Sequence, residues 1–343
     1  MQPPDPPTVH RQTNRLGCIV GLGCIMLSIG LILSIAIYTY AAHPTHLSIM
    51  SKATPTLTGT FSTPPPKITC TTIPQHKGDK TISITSSGLK RTMLIHLASS
   101  YGIQPQALII NYHGYNSTIE HFAHYSNMET EADKAGFVLV FPQGVDNPPS
   151  WNAGVGARGP TGDANDIQFT RDMLNFLEKN YCVDTDRVYV TGYSLGGGMA
   201  YRVACSLSDR ITALATVAGA FYPAPGGCQP AHPIPVLEIH GQADQFAIYN
   251  GNPTLMTTSV PIYLHIWLTR DGCSHSSRVI FQRQDVTGIE WGNCVPGVMV
   301  EQYKVSDGGH TWPGGGSSAT LGYTTHVIDA NVVIWNFFRQ FSK

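Results

Sequence analysis

Short runs of β-branched and aromatic residues alternate with helically spaced segments through most of this chain. The runs Arg91–Ala98 (RTMLIHLA), Ala107–Tyr112 (ALIINY) and Phe137–Phe141 (FVLVF) read as buried strands. So do Val188–Thr191, Ala213–Ala218, Pro235–His240 (PVLEIH) and Val298–Val305. Between them the segment around Glu129–Ala135 is polar and helical, and Asp166–Asn180 spaces Phe169, Met173 and Phe176 along one side of a helix. Near the end, Ile328, Val332, Trp335 and Phe338 recur at helical spacing. Strands alternating with helices predict an α/β fold, a mostly parallel central sheet with helices on both faces.

The N-terminal part follows a different pattern. Residues 1–15 are polar and Pro-rich, with Arg11 and Arg15, and form the expected cytoplasmic tail. Residues 16–40 carry no charge and are rich in Ile, Leu and Gly. That run exceeds the ~7–15 apolar residues of a cleavable signal and matches the ~20 a helix needs to cross a bilayer. With the arginines before it, it is expected to be a single-pass transmembrane signal anchor whose N-terminus stays inside; cleavage near Ala41-Ala42, releasing a secreted protein, is the rival. Residues 41–67, rich in Pro, Ser and Thr, form a stalk, and residues 68–343 the folded unit.

Composition narrows the classes. A net charge of −1 leaves no electrostatic footprint for nucleic acid. Of eight cysteines, Cys18 and Cys24 lie in the apolar run; the other six, Cys70, Cys182, Cys205, Cys228, Cys273 and Cys294, have no C-x-x-C metal spacing. On the outer side of a membrane they can form disulfides, and their spacing alone leaves 15 pairings open.

The chemistry centres on Gly192-Tyr193-Ser194-Leu195-Gly196. A strand leads into it and a helix leaves it, the context in which G-x-S-x-G makes a nucleophile elbow. Serine is a poor nucleophile without a base, itself oriented by an acid. Asp244 follows the PVLEIH strand and His310 follows Val298–Val305, so the order Ser194, Asp244, His310 fits a triad, each member on a loop beyond a strand. Asp307 is a rival acid, and His240, ending a strand, reads as a satisfied structural histidine. The Leu195 N–H and the Tyr115 N–H, after His113-Gly114, are the candidate oxyanion donors. His113, His121 and His124 lack a carboxylate or Cys at ligand spacing, so no metal and no cofactor is expected.

The segments LIINYHGYNST, SWNAG, VDTDRVYVTGYSLGGGMAYRVAC, PVLEIHGQAD and GGHTWPGG together resemble the polyhydroxybutyrate depolymerase-like esterases, α/β-hydrolases that include feruloyl and acetylxylan esterases. The resemblance spans about residues 70–343. It implies Ser194 as nucleophile, Asp244 as acid and His310 as base, and suggests Trp151 and Trp312 as pocket walls; His113 and Tyr193 are expected to contact substrate beside them. It also implies the disulfides Cys205–Cys228 and Cys273–Cys294, leaving Cys70 with Cys182. One departure follows Asp244: Ala247-Ile248 stand where family members often carry Val-Pro.

The expectation is therefore a serine carboxylic-ester hydrolase at the outer face of the membrane, acting on polyhydroxybutyrate-type polyesters or their oligomers. Acyl groups on plant polysaccharide, as for feruloyl or acetylxylan esterases, are the alternative substrate. A serine peptidase would need a gating domain, and none is visible in the sequence. A non-catalytic, surface carbohydrate-binding protein is the alternative of another class.

Overall fold

In the computed structural model, which describes residues 77–102, 104–159 and 164–343, the predicted alternation folds around a single ten-stranded sheet. The strands are β1 (Gly78–Ser86), β2 (Leu89–Leu97), β3 (Gln106–Tyr112), β4 (Val138–Pro142) and β5 (Val183–Gly192). After them come β6 (Ala213–Val217), β7 (Val236–Gly241), β8 (Ser277–Arg283), β9 (Val286–Trp291) and β10 (Val300–Val305). The helices are α1 (Ile119–Ser126), α2 (Met128–Ala135), α3 (Asp166–Asn180), α4 (Leu195–Ser206), α5 (Val260–Arg270) and α6 (Ala330–Phe338). These elements belong to the unit Pro65–Lys343. The expected tail, membrane span and stalk lie outside the described residues. Among the described residues no helix is long and apolar enough to cross a membrane.

The strand order is β1-β2-β4-β3-β5-β6-β7-β10-β9-β8. From β4 to β10 every neighbour is parallel, whereas β1, β2, β9 and β8 extend the sheet antiparallel at its two ends. The central strands are buried on both faces, which is why they read as unbroken apolar runs. Leu108 and Ile110 of β3 point into one core layer with Met173 of α3, Met199 of α4 and Trp267 of α5. Ile109 points into the other, with Phe122 of α1, Ala132 of α2 and Phe337 of α6.

Each run read as a buried strand forms one, although β5 begins five residues earlier than its apolar part. Helix α3 has the bounds its pattern predicts. The C-terminal helix differs in phase. Asp329 caps it by accepting from the Asn331 N–H, and the buried face is Ala330, Ile334, Phe337 and Phe338, leaving Val332 exposed. Strands β1, β8 and β9 carry no continuous apolar signal because they lie at the sheet's ends with much of their surface in water.

Candidate active site

Strand β5 passes into α4 through Tyr193 and Ser194 with no intervening loop. Ser194 sits at φ 57°, ψ −123°, a region that costs a non-glycine residue about 1–3 kcal/mol and persists only when its surroundings over-determine it. Its N–H donates to the Val217 carbonyl at 3.1 Å and its carbonyl accepts from the Ala220 N–H at 2.9 Å. A Cβ on Gly192 would run into the Gly196 carbonyl, and one on Gly196 into the Tyr112 carbonyl. The flanking glycines thus have a steric reason. Although Ser194 stands at the N-cap of α4, its hydroxyl caps nothing and remains available.

That hydroxyl lies 2.8 Å from His310 Nε2, and His310 Nδ1 lies 2.7 Å from Asp244 Oδ2. The carboxylate accepts the hydrogen bond from Nδ1–H, which leaves Nε2 to accept from Ser194. All three residues leave the carboxyl edge of the sheet, from β5, β7 and β10. The loops after β7 and β10 are joined directly, because Ala243 N–H donates to the Gly308 carbonyl at 3.0 Å. Asp244 Oδ1 accepts from the Phe246 and Ala247 N–H groups at 2.8 and 2.9 Å. Burial pushes Asp244 up, but hydrogen bonds from His240 and His310 outweigh it and hold the carboxyl at about 2. The rival acid Asp307 is exposed.

Gly114 reaches the serine from the end of β3: a Cβ there would lie 3.2 Å from Ser194 Cβ. Among the described residues the Leu195 and Tyr115 N–H groups find no acceptor, as oxyanion donors require. The side chains expected to line the pocket lie elsewhere. His113, Trp151 and Trp312 are at most 1% exposed, so they support the site from beneath and cannot touch a substrate. His113 Nδ1–H donates to the Gly114 carbonyl at 2.7 Å and Nε2 accepts from the Gly144 N–H at 2.9 Å. Its ring is therefore a neutral brace for the Gly114 loop, and burial pushes it down to about 4. Trp151 Nε1–H donates to the His113 carbonyl at 2.8 Å, and Trp312 Nε1–H to Asn331 Oδ1 at 3.1 Å. Tyr193, also buried, donates its hydroxyl to the His310 carbonyl. The sequence gives these rings no distinguishing mark, because an aromatic in a wall and one in a floor have the same composition.

Two exposed rings stand on the loops that carry Asp244 and Gly114. Phe246, 55% exposed, holds its ring 5.3 Å from that of His310. Tyr115 is exposed on the opposite loop with the Arg158 guanidinium 5.8 Å from its ring. Beneath that loop, buried Arg91 pairs with buried Asp166 at 2.7 Å, and Asp166 Oδ2 accepts from the Asn152 N–H at 2.7 Å. His121 and His124 take no part in the site. Among the described residues Asp79, His96 and Glu129 approach ligand spacing. They stand at the amino edge of the parallel strands, away from Ser194, and His96 is already bonded to Asp79 at 2.6 Å.

Cys205 bonds to Cys228, and Cys273 to Cys294, as the resemblance implies. Cys182 is also disulfide-bonded; Cys70, its expected partner, lies outside the described residues.

A largely parallel sheet with a strained serine at a strand–helix elbow on its carboxyl edge defines the α/β-hydrolase class. The comparisons with known proteins agree. Residues 112–260 match the dienelactone hydrolase family. A putative esterase, NocK, of Nocardia uniformis is 30% identical over 66% of this chain and 70% of its own length. Feruloyl esterase B of Piromyces equi is 29% identical over 74% of this chain, and the alignment takes in 45% of that protein. This chain thus spans less than half of that larger relative. The acetyl xylan esterase of Aspergillus awamori superposes with a TM-score of 0.53 over 68% of this chain and 94% of its own, at 13% identity, which is a likeness of fold. Residues 112–260 thus form a dienelactone hydrolase-family domain, and the chain belongs to the esterase family of NocK, with further relatives named as feruloyl and acetylxylan esterases.

Proposed function

We propose that this chain hydrolyses carboxylic esters through acylation of Ser194. His310 Nε2 takes the hydroxyl proton as Oγ attacks the carbonyl, and Asp244 fixes the imidazole through Nδ1. The N–H groups of Leu195 and Tyr115 hold the developing oxyanion; one such donor is worth ~10²–10³ in turnover. Collapse of the tetrahedral intermediate releases the alcohol with the proton from His310, and water then attacks the acyl-enzyme by the same route. The observation that carries this reading is the continuous hydrogen-bonded chain from Asp244 through His310 to Ser194, at 2.7 and 2.8 Å.

The substrate we favour is an aromatic or acetyl acyl group on a polysaccharide. Phe246 sets an exposed ring against that of His310, Tyr115 is exposed on the Gly114 loop, and relatives are named as feruloyl and acetylxylan esterases. Polyhydroxybutyrate-type oligomers are the competing ester. The disulfides, together with the apolar run at 16–40, support a catalytic unit of residues 68–343 outside the membrane on a 41–67 stalk. A panel of p-nitrophenyl acetate and butyrate, methyl ferulate, acetylated xylan and hydroxybutyrate oligomers tests the reading. Hydrolysis of methyl ferulate or acetylated xylan, abolished by Ser194→Ala, is expected. Activity that survives Ser194→Ala, or none on any ester, would overturn it.

A further inference from the structure

Directly behind Asp244 lies a second imidazole that the reaction just described leaves unused. His240 stands near the end of β7, four residues before Asp244, and is 1% exposed; Glu238, on the same face of the strand, is fully enclosed. His240 Nδ1 lies 2.8 Å from Glu238 Oε1. Its Nε2 lies 2.7 Å from the Ala247 carbonyl and 3.4 Å from Asp244 Oδ2. The partners of both ring nitrogens are therefore acceptors, whereas His113 Nε2 meets a donor. A neutral imidazole carries one N–H, so either this ring holds two protons or Glu238 holds the one they share. Asp244 decides the matter, because a second carboxylate beside Nε2 favours the cation.

The groups facing this ring come from several elements. Glu238 stands on the same strand and Asp244 on the loop that follows. Tyr249 sets its ring 5.7 Å away, and Lys304 of β10 is the register partner of His240. Glu238 acts on Tyr263 of α5, and His310 lies across Asp244. Burial alone would push His240 down, but Glu238 and Asp244 outweigh it and hold the ring at about 10. Burial pushes Glu238 up, and the neighbouring imidazole opposes that.

We propose that His240 is a positioning residue for the triad: a standing imidazolium, neutralised by Glu238, that pins Asp244 Oδ2 toward His310 and offsets part of the carboxylate's field there. The proposal rests on the Ser194–His310–Asp244 reading above. A cation behind Asp244 opposes the build-up of positive charge on His310, so activity extends further into the acid range than Asp244 alone would allow. His240, 3.4 Å from Oδ2, adds to the two backbone N–H bonds that Oδ1 accepts, so both oxygens of the buried carboxylate are held.

The test is the pH profile of kcat and KM on p-nitrophenyl acetate for the wild type, His240→Gln and the double variant E238Q/H240Q. In the double variant a neutral amide pair replaces the buried ions. Both variants are expected to move the acidic limb of kcat/KM up by ~0.5 pH unit or more, lowering activity near about pH 5.5 ~3-fold or more against each variant's own plateau, with KM unchanged. A merely structural role would lower the plateau and leave the limb in place; acidic limbs that overlay the wild type overturn the proposal. Nitrogen-15 NMR of the wild type reads the ring directly, even if the variants fail to fold. Two protonated nitrogens on His240 from about pH 6 to about pH 9 are expected, and a single one would overturn the proposal. That measurement needs no turnover, so a wild type inactive on every ester would sink the hydrolase reading while the state of His240 stayed legible.

Discussion

The hydroxyl of Tyr193 donates to the backbone carbonyl of His310, so the residue just before the nucleophile holds the peptide of its proposed base. The two rings lie 4.9 Å apart. One side chain thereby ties the end of β5 to the loop beyond β10. Tyr193→Phe keeps the ring and removes the bond. It is expected to lower kcat ~10-fold with KM little changed, measured by steady-state kinetics on a soluble ester.

The choice between the two candidate acids has an equally direct test. Asp244→Asn presents an amide to His310 Nδ1 and is expected to lower kcat by ~10³-fold or more, since the wrong tautomer then faces Ser194. Asp307→Asn, at an exposed position, should stay within about 2-fold. The reverse ordering would overturn the assignment of the acid.

How far the sequence foretold this site depends on what kind of constraint each residue answers to. Ser194, Asp244 and His310 were legible because a strand end and a chain order both mark them. The pocket was not. Trp151 and Trp312 stand out in the sequence yet lie in the core, whereas Phe246, without any motif, is exposed with its ring 5.3 Å from that of His310. Periodicity reports which residues avoid water, not which side of a loop they occupy. The same limit explains β8 and β9, whose exposed faces carry Arg278 and Glu290 paired at 2.9 Å instead of an apolar run. It also explains His240, whose meaning lies in its contact with Asp244.

Because His113 is buried and neutral, it makes stability depend on acid. Its folded value is about 4, against ~6.5 in an unfolded chain. Below ~6.5 the unfolded chain takes up the proton first, so its contribution is complete above that pH and is lost as pH falls through about 4. The loss amounts to ~3 kcal/mol. Denaturant unfolding of His113→Asn should show a correspondingly flatter dependence over that interval; a slope equal to that of the wild type would contradict the account.

At the elbow, sterics set the limit. Gly196→Ala places a Cβ against the Tyr112 carbonyl, where strand β3 cannot yield without moving the Gly114 loop. A loss of ~2–3 kcal/mol or more is expected in thermal or denaturant unfolding, along with most of the activity.

Reduction should act on a different part of the molecule. Cys205 and Cys228 are 23 residues apart, a closure that constrains the unfolded chain by ~3 kcal/mol. Mutating both to Ala should lower the midpoint of unfolding and leave KM on small esters unchanged, because the bridge leaves the far end of α4.

The exposed rings of Phe246 and Tyr115 have a consequence for what can be cleaved. On the proposed reaction, an ester that reaches Ser194 past exposed Phe246 keeps the rest of its molecule in solvent, so a linkage on a long chain costs no threading and little loss of freedom. Size on that outer side should then be nearly invisible to the enzyme. Discrimination would fall on the few atoms next to the carbonyl, which makes decoration of a large polymer accessible without taking the polymer apart.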